Sequence, residues 1–181
     1  MVAEILLQRT RAEQVIAVYK EFREAFPDPT ALGQVELSRI EDIISPLGLK
    51  WRARFLLTLG SRLSEIGGKI PHDMKLLQSL PGIGPYAAAA FLSLHAGKRA
   101  PIIDSNIVRL YGRFFGFETG PETRRKKEVL QLAERVTPNK NFREFNYALI
   151  DFTRTICRPK PDHEYCPISD KCCFYINLNL S

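Results

Sequence analysis

Long apolar runs are missing from this 181-residue sequence, although 45% of its residues are hydrophobic. A helix that crosses a bilayer needs about 20 consecutive apolar residues, and no run approaches that length. The start also lacks the basic stretch and apolar core of a secretory signal peptide. These absences predict a cytoplasmic protein with no membrane partner.

Cysteine is absent from the first 156 residues. The four cysteines all lie in the last 25 residues, at Cys157, Cys166, Cys172 and Cys173. Disulfides are rare in cytosolic proteins, and a local cluster of cysteines in such a chain is typical of a metal site. The sequence therefore predicts a metal-binding loop in preference to disulfides.

Strand-like alternation of apolar and polar residues is also missing. Apolar residues instead recur at helical spacing, in one stripe from Val15 to Phe26 and another from Phe55 to Ile66. Glycine and proline interrupt the pattern at short intervals. We expect an all-α fold with short loops, in which later helices cover Asn106 to Phe115, Thr123 to Val136 and Phe142 to Cys157.

Positive charge exceeds negative charge, with 26 Lys and Arg against 20 Asp and Glu, a formal net charge of +6. Such an excess favours a polyanionic partner. Solubility alone would explain it equally well. Charge is therefore only a mild argument for nucleic acid binding.

Two glycines and two prolines stand in the stretch LPGIGPYAAAA, Leu80 to Ala90. Pro81 ends one helix, and Pro85 suits the first turn of the next. Gly82 and Gly84 permit a tight turn with positive φ or a close backbone approach. The turn aims free backbone NH groups outward, and a phosphate fits their geometry and dipole. The pattern predicts a grip on a nucleic acid backbone, with an ordinary helix-turn-helix corner as the alternative.

The string LPGIGPYAAA resembles the helix-hairpin-helix of the endonuclease III and adenine glycosylase (MutY) superfamily of DNA repair glycosylases. Four further segments resemble that family in the same order, namely AEILLQRT (3–10), PIIDSNIVRLYGRFFG (101–116), FNYALIDFTRTIC (145–157) and the cysteine loop. The segments AEILLQRT, FREFNYALIDF and DSN are most similar to Mig-type G·T mismatch thymine glycosylases. The resemblance covers essentially the whole chain.

This resemblance implies two helical lobes with an active-site cleft between them. Residues 1–98 would form a six-helix barrel lobe with the helix-hairpin-helix at 80–86. Residues 99–181 would form a helical lobe with a cluster loop at 157–173. The apolar pattern begins at once in MVAEILLQRT without a helix cap, so either the chain is naturally short or an N-terminal piece is absent.

Three residues match catalytic positions of the family. Asp104 matches the aspartate whose carboxylate stabilises positive charge on the sugar as the base leaves. It is also the N-cap of the next helix by local sequence, and the NH donors of a cap would hold it ionised. Glu4, in the apolar run VAEILL, matches a carboxylate that assists base departure, and burial would raise its pKa. A surface glutamate is the alternative.

Tyr86 stands where endonuclease III carries a lysine that forms a Schiff base with the sugar. A tyrosine cannot form that adduct, so the resemblance implies base release without an efficient lyase step. We expect Tyr86 to contact the flipped nucleotide, with a packing role as the alternative.

Other positions of the resemblance imply contacts with DNA. Gln8 matches the wedge that fills the space of a flipped nucleotide, and Arg9 follows it. Leu49 and Lys50 lie in a second loop expected to approach the opposite strand. The remaining candidates are the hairpin residues Gly82, Ile83 and Gly84, and the phosphate contacts Lys50, Arg52, Arg54 and Arg109, for which solvated surface is the usual alternative.

The family holds a [4Fe-4S] cluster with the pattern C-x6-C-x2-C-x5-C, and Cys157, Cys166 and Cys172 match three of its positions in the spacing C-x5-H-x2-C-x5-C, whose first gap is one residue shorter. The second position falls on His163, and Cys173 is spare. Either His163 is the fourth ligand, or Cys173 replaces it, or the cluster is weakened or lost. Thiolates favour an iron-sulfur cluster, with zinc or no metal as alternatives. Its role would be structural, ordering the basic loop against DNA.

Taken together, these matches imply a prokaryotic base-excision-repair DNA glycosylase that acts as a monomer on double-stranded DNA. It would flip out a mispaired base and hydrolyse its N-glycosidic bond. Thymine or uracil opposite guanine is the expected substrate, without efficient abasic-site lyase activity. Adenine opposite guanine or 8-oxoguanine is the first alternative. A non-catalytic DNA-binding module is the alternative of another class, and the retention of Asp104 beside Glu4 speaks against it.

Overall fold

A computed structural model describes residues Met1–Leu180. Within them the chain forms eleven α-helices and no strand, which confirms the all-α prediction. No helix in this part of the chain is both long and apolar enough to cross a membrane. The chain divides into two compact units, Met1–Phe91 and the residues from Leu92 onward. The division into a barrel lobe, 1–98, and a cluster lobe, 99–181, stays a prediction.

Seven helices build the first unit. They are α1 (Val2–Leu6), α2 (Ala12–Ala25), α3 (Pro29–Gly33), α4 (Leu37–Ile44), α5 (Trp51–Glu65), α6 (Met74–Gln78) and α7 (Pro85–Ala90). The helix α5 packs against α1, α3 and α4, and α6 packs against α7. The inner face of α5 is fully buried at Leu56 and Leu59. The helix α5 is therefore the central helix against which the others pack.

The crossing of α3 and α5 depends on two glycines that face each other. A Cβ added at Gly60 would lie 2.6 Å from the backbone nitrogen of Gly33, closer than any real side chain approaches. The hydroxyl of Ser61 donates a 3.0 Å hydrogen bond to the carbonyl of Gly33. The two backbones therefore touch directly, and this fixes the depth at which α3 sits on α5.

The predicted stripe on α2 is confirmed, because Val15, Val18 and Phe22 are buried. The prediction of a buried stripe on α5 is wrong at both ends of the stripe. Phe55 is 39% exposed and Ile66 is 52% exposed. Arg52, expected at the surface, occupies the core of the same helix.

Four helices build the second unit. They are α8 (Ser105–Phe115), α9 (Lys127–Val136), α10 (Phe142–Thr155) and α11 (Cys173–Leu180), with a 3₁₀ turn at Thr123–Arg125. The predicted helices at 106–115 and 142–157 are confirmed to within two residues. The helix predicted from Thr123 begins as that 3₁₀ turn and continues as α9. Both α10 and α11 pack against α8.

A buried amide fixes the segment that leads into α8. Asn146 on α10 is fully buried, and its Nδ2 donates to Ser93 Oγ at 2.6 Å and to the Ala100 carbonyl at 3.0 Å. Buried polar groups are costly unless they are paired. These bonds therefore tie the stretch from Ser93 to Ala100 to α10, four residues before Asp104.

Candidate functional site

The hairpin between α6 and α7 has the tight glycine turn that the sequence predicts. Gly82 adopts a φ of 75°, which L residues rarely adopt. A Cβ at Gly82 would lie 3.1 Å from Phe55 Cβ and 3.2 Å from Ile5 Cδ1. Pro85 is in the first turn of α7, as expected. Gly82 is thus needed for both its conformation and its packing.

Gly84 differs from Gly82 in both respects. Its φ is −84°, and nothing lies within 4 Å of an added Cβ. It is the N-cap residue of α7, and because it is a glycine it makes no side-chain cap bond. The helix therefore begins at an open surface, where a bound anion could meet its first turn.

Gln8 reaches the hairpin directly. Its Nε2 donates a 3.3 Å hydrogen bond to the carbonyl of Gly82, 74 residues away in sequence. Arg9, the next residue, is exposed and has a φ of 58°, which is uncommon for a residue with a side chain. The structure thus brings together the expected wedge and the expected phosphate grip.

The second expected DNA loop lies just before α5. Leu49 has a φ of 52° and is half-buried, whereas Lys50 is exposed. Trp51 and Phe55 follow as an edge-to-face pair with ring centroids 5.5 Å apart, and Trp51 is 43% exposed. The sequence reasoning missed this exposed aromatic pair because Phe55 fitted the apolar stripe.

One of the expected phosphate contacts, Arg52, is wrong, and a second, Arg109, bonds within the protein. Arg52 is fully buried, and burial lowers the pKa of its guanidinium. Arg109 is half-buried, and its guanidinium donates to the carbonyls of Cys157 at 2.8 Å and Thr153 at 3.1 Å, near the end of α10. Arginine carries five donors and no acceptor. The terminal nitrogens of both residues donate to backbone and side-chain oxygens of the protein.

Asp104 is the N-cap of α8, as the local sequence predicts. Its Oδ1 accepts a 2.7 Å hydrogen bond from the backbone NH of Ile107. Its Oδ2 accepts a 2.9 Å bond from Nδ2 of Asn106. Both oxygens act as acceptors, which is how an ionised carboxylate bonds. Sequence reasoning missed Asn106, although it belongs to the DSN segment.

Glu4 and Tyr86 both belong to the first unit. Glu4 is half-buried on α1, and desolvation raises the pKa of its carboxyl, partly opposed by the positive charge of the N-terminus. This direction agrees with the expectation for a proton donor. Tyr86 is half-buried at the second position of α7, directly after Pro85.

The cysteine loop surrounds a small cavity of about 20 Å³. Its lining includes Cys157, His163, Cys166 and Cys172, the four residues of the spacing C-x5-H-x2-C-x5-C. Cys173 packs elsewhere, with its Sγ 3.3 Å from the position of a Cβ on Gly116.

The positions of these cysteine and histidine side chains bear on which metal or cluster the loop could hold. Within residues 1–180 no three His, Cys, Asp or Glu side chains are arranged to hold a metal ion. A [4Fe-4S] cluster instead takes its ligands from four sides. The Cys157 sulfur accepts from Arg113 Nη1 at 3.6 Å, and the Cys172 thiol donates to the Arg113 carbonyl at 3.5 Å. Cysteine and histidine side chains, of the types that hold iron-sulfur clusters or zinc, therefore line one cavity.

Comparisons with known proteins identify the family of the chain. The family model of HhH-GPD superfamily base excision DNA repair proteins matches residues 2–138. A thymine/uracil-DNA glycosylase of Pyrobaculum aerophilum is 36% identical over 183 residues, which span 97% of this chain and 79% of that protein. An adenine DNA glycosylase of Buchnera aphidicola is 35% identical over 182 residues, which span 98% of this chain and 52% of that protein.

The fold has a close counterpart among solved structures. The structure of a thermostable thymine-DNA glycosylase superposes with a TM-score of 0.91 and 35% sequence identity, covering 97% of this chain and 82% of that chain. The family match extends over more than half of the sequence and includes the hairpin, Glu4 and Asp104. This chain therefore belongs to the HhH-GPD superfamily of base excision DNA repair proteins.

Proposed function

We propose that this protein is a DNA N-glycosylase that removes thymine or uracil opposite guanine. The observation that carries the proposal is similarity over nearly the whole chain to a thymine/uracil-DNA glycosylase, combined with a doubly hydrogen-bonded Asp104. The partner is double-stranded DNA in which a mispaired base is cheapest to unstack. The protein acts as a monomer.

Asp104 supplies the main electrostatic stabilisation. As the N-glycosidic bond breaks, positive charge develops on the sugar, and a carboxylate beside it lowers the barrier. The bonds from Asn106 and Ile107 aim that carboxylate and leave it no freedom to turn. Water then adds to C1′ of the sugar, losing one proton, and the base leaves with a proton.

Glu4 handles that proton in the proposed reaction. Its raised pKa lets it stay protonated nearer to neutral pH than an ordinary glutamate. It donates to the departing base or orients the attacking water. Because Tyr86 provides no amine, no Schiff base forms and the reaction stops at an abasic site.

The hairpin and its neighbours hold the DNA. Backbone NH groups at Gly82 and Gly84 bind a phosphate without reading sequence, whereas the NH of Ile83 already donates to the carbonyl of Leu80 at 3.2 Å. Gln8 and Arg9 fill the space that the flipped nucleotide leaves. The residues Leu49 and Lys50 contact the opposite strand.

The cysteine loop holds a [4Fe-4S] cluster, with zinc as the alternative metal. Cys157, Cys166 and Cys172 are three ligands, and His163 is the fourth, because it lines the same cavity whereas Cys173 does not. When bound, the cluster would order the loop that these residues form. Purified protein should contain iron and acid-labile sulfide in equal amounts, lost in His163→Ala and retained in Cys173→Ala. Zinc without sulfide would refute the assignment.

One assay separates the candidate functions. Duplexes with G·T, G·U, A·G and A·8-oxoguanine pairs are incubated with the protein and then divided, with and without alkali. The proposal expects breaks at T and U after alkali only. Release of adenine would favour the second candidate, to which the 35% identity with an adenine DNA glycosylase points. If no base were released from any duplex, the remaining candidate would be a non-catalytic DNA-binding module.

Asp104→Asn tests the assigned role. Asparagine still caps the helix but carries no charge, so base release should fall by at least about 100-fold. Binding to a duplex with an abasic-site analogue should be retained. Equal losses of binding and release would contradict the catalytic role.

A further inference from the structure

The most buried cation of the protein is not used by the reaction. Arg52 on α5 has no exposed surface, and no carboxylate within residues 1–180 forms an ion pair with it. Its Nε has no hydrogen-bond partner in the same part of the chain. Burying a charge without a counterion is costly. An apolar side chain of similar volume would pack there at lower cost, so this arginine calls for another explanation.

The two terminal nitrogens of Arg52 donate hydrogen bonds to both ends of the turn that follows α1. Nη1 donates to the carbonyl of Leu6, the last residue of α1. Nη2 donates to the hydroxyl of Thr10 at 2.5 Å. Between these two points lie Gln8 and Arg9. The planar guanidinium fork can make both bonds at a fixed angle, which the single ammonium of a lysine cannot.

The hydrogen bonds continue from the turn to the hairpin. The hydroxyl of Thr10 donates to the carbonyl of Gln8 at 3.3 Å. The side-chain amide of Gln8 donates to the carbonyl of Gly82, also at 3.3 Å. A continuous chain of bonds therefore runs from α5 through the turn to the hairpin that precedes α7.

The turn also stores backbone strain. Arg9 has a φ of 58°, a region that a residue with a side chain occupies only at an energetic cost. Such a conformation persists only where the surroundings enforce it. Bonds to Leu6 on one side and Thr10 on the other provide that enforcement.

We infer that Arg52 is a positioning residue, which acts through Thr10 to hold Gln8 and Arg9 in the conformation that enters the duplex. The inference rests on the proposed function, in which this segment fills the space of the flipped base. A loosened segment would fill that space less often, so the rate of base release falls. Ground-state affinity for DNA changes little, because the phosphate grip is untouched.

The test is a double-mutant cycle on single-turnover release from a G·T duplex. Thr10→Val should lower the rate about tenfold, and Thr10→Ser, which keeps the hydroxyl, should restore it. In a Gln8→Ala background, Thr10→Val should have almost no further effect, because both act through one side chain. Equal fold-losses in the two backgrounds would overturn the inference. Thr30→Val removes an exposed hydroxyl outside the chain of bonds and is the control.

Arg52→Lys is the second variant, with the exposed Arg62→Lys as its control. Fluorescence of 2-aminopurine beside the target base should show fewer flipped nucleotides with Arg52→Lys and unchanged flipping with Arg62→Lys. If Arg52→Lys fails to fold, Thr10→Val takes its place in this measurement. Unchanged flipping in the folded variant would contradict the inference.

Amide hydrogen exchange on the free protein separates this inference from the proposed function. Amides of residues 7–10 should exchange faster in Thr10→Val and in Arg52→Lys, and those of α2 should not. This measurement needs no substrate. Wild-type protein that releases no base would refute the proposed function, whereas unchanged exchange at residues 7–10 would refute the positioning role alone.

Discussion

The side-chain amide of Asn106 lies between Arg109 and Asp104. Its carbonyl oxygen accepts a 2.9 Å bond from Arg109 Nη1, and its Nδ2 donates a 2.9 Å bond to Asp104 Oδ2. Because arginine can only donate, the oxygen of the amide must face Arg109. The NH₂ group is thereby directed at the carboxylate. Arg109 also holds the Cys157 carbonyl, so the start of the cysteine loop helps to orient Asp104.

Asn106→Ala should therefore slow base release while the protein still binds DNA. A hydrogen bond to a charged group contributes about 1.5–3 kcal/mol, which corresponds to a loss of about ten- to a hundredfold in rate. Single-turnover rates and affinity for an abasic-site duplex measure the two effects. Asn179→Ala, at an exposed position of α11, is the matched control. A loss of affinity with an unchanged rate would contradict this role.

The sequence predicted those parts of the site that depend on neighbouring residues better than those that depend on contacts distant in sequence. Asp104 followed by an apolar helical pattern indicated a cap, and the structure has that cap. The burial of Arg52 could not be predicted in this way, because its partner Leu6 lies 46 residues earlier. The exposure of Phe55 was missed for a similar reason. It packs at the edge of the hairpin, against Gly82, which no helical periodicity indicates.

The pH dependence of base release should reveal the titration of the Glu4 carboxyl. Desolvation raises its pKa, so the protonated form persists above the ordinary range of a glutamate. If Glu4 donates the proton, the rate is highest below the raised pKa and falls as pH rises through it. In Glu4→Gln that descending limb should disappear, along with most of the rate. Glu24→Gln, at an exposed site on α2, should keep the wild-type profile. If the descending limb of the profile were unchanged in Glu4→Gln, another group would be responsible for it.

Position 86 should decide whether the sugar is attacked by an amine. Wild-type protein is expected to leave abasic DNA uncut and to give no adduct with borohydride. Tyr86→Lys supplies an ε-amine, which can condense with the C1′ aldehyde and lose water, and borohydride then reduces the imine to a stable amine. Denaturing gels with labelled DNA would show the adduct as a slower band. Tyr147→Lys, on exposed α10 surface, should give none. If Tyr86→Lys also gave none, residue 86 would not face C1′.

The two hairpin glycines should separate stability from DNA binding. Gly82→Ala places a methyl group at φ 75° and 3.1 Å from Phe55 Cβ, so the free energy of unfolding should fall by about 1–3 kcal/mol. Gly84→Ala meets nothing within 4 Å and has an ordinary φ, so the free energy of unfolding should fall by no more than about 1 kcal/mol, the usual cost of alanine at an N-cap.

The DNA affinity of Gly84→Ala should nevertheless fall, because its methyl group occupies the open space where a phosphate would approach α7. Loss of one hydrogen bond to a charged group raises Kd by about tenfold or more. Since phosphate contacts carry no sequence information, matched and mismatched duplexes should be affected equally. Denaturant unfolding and binding at one fixed salt concentration measure the two variants. Unchanged affinity in Gly84→Ala would remove the hairpin from the DNA contact, whereas a loss confined to mismatched duplexes would move Gly84 to base recognition.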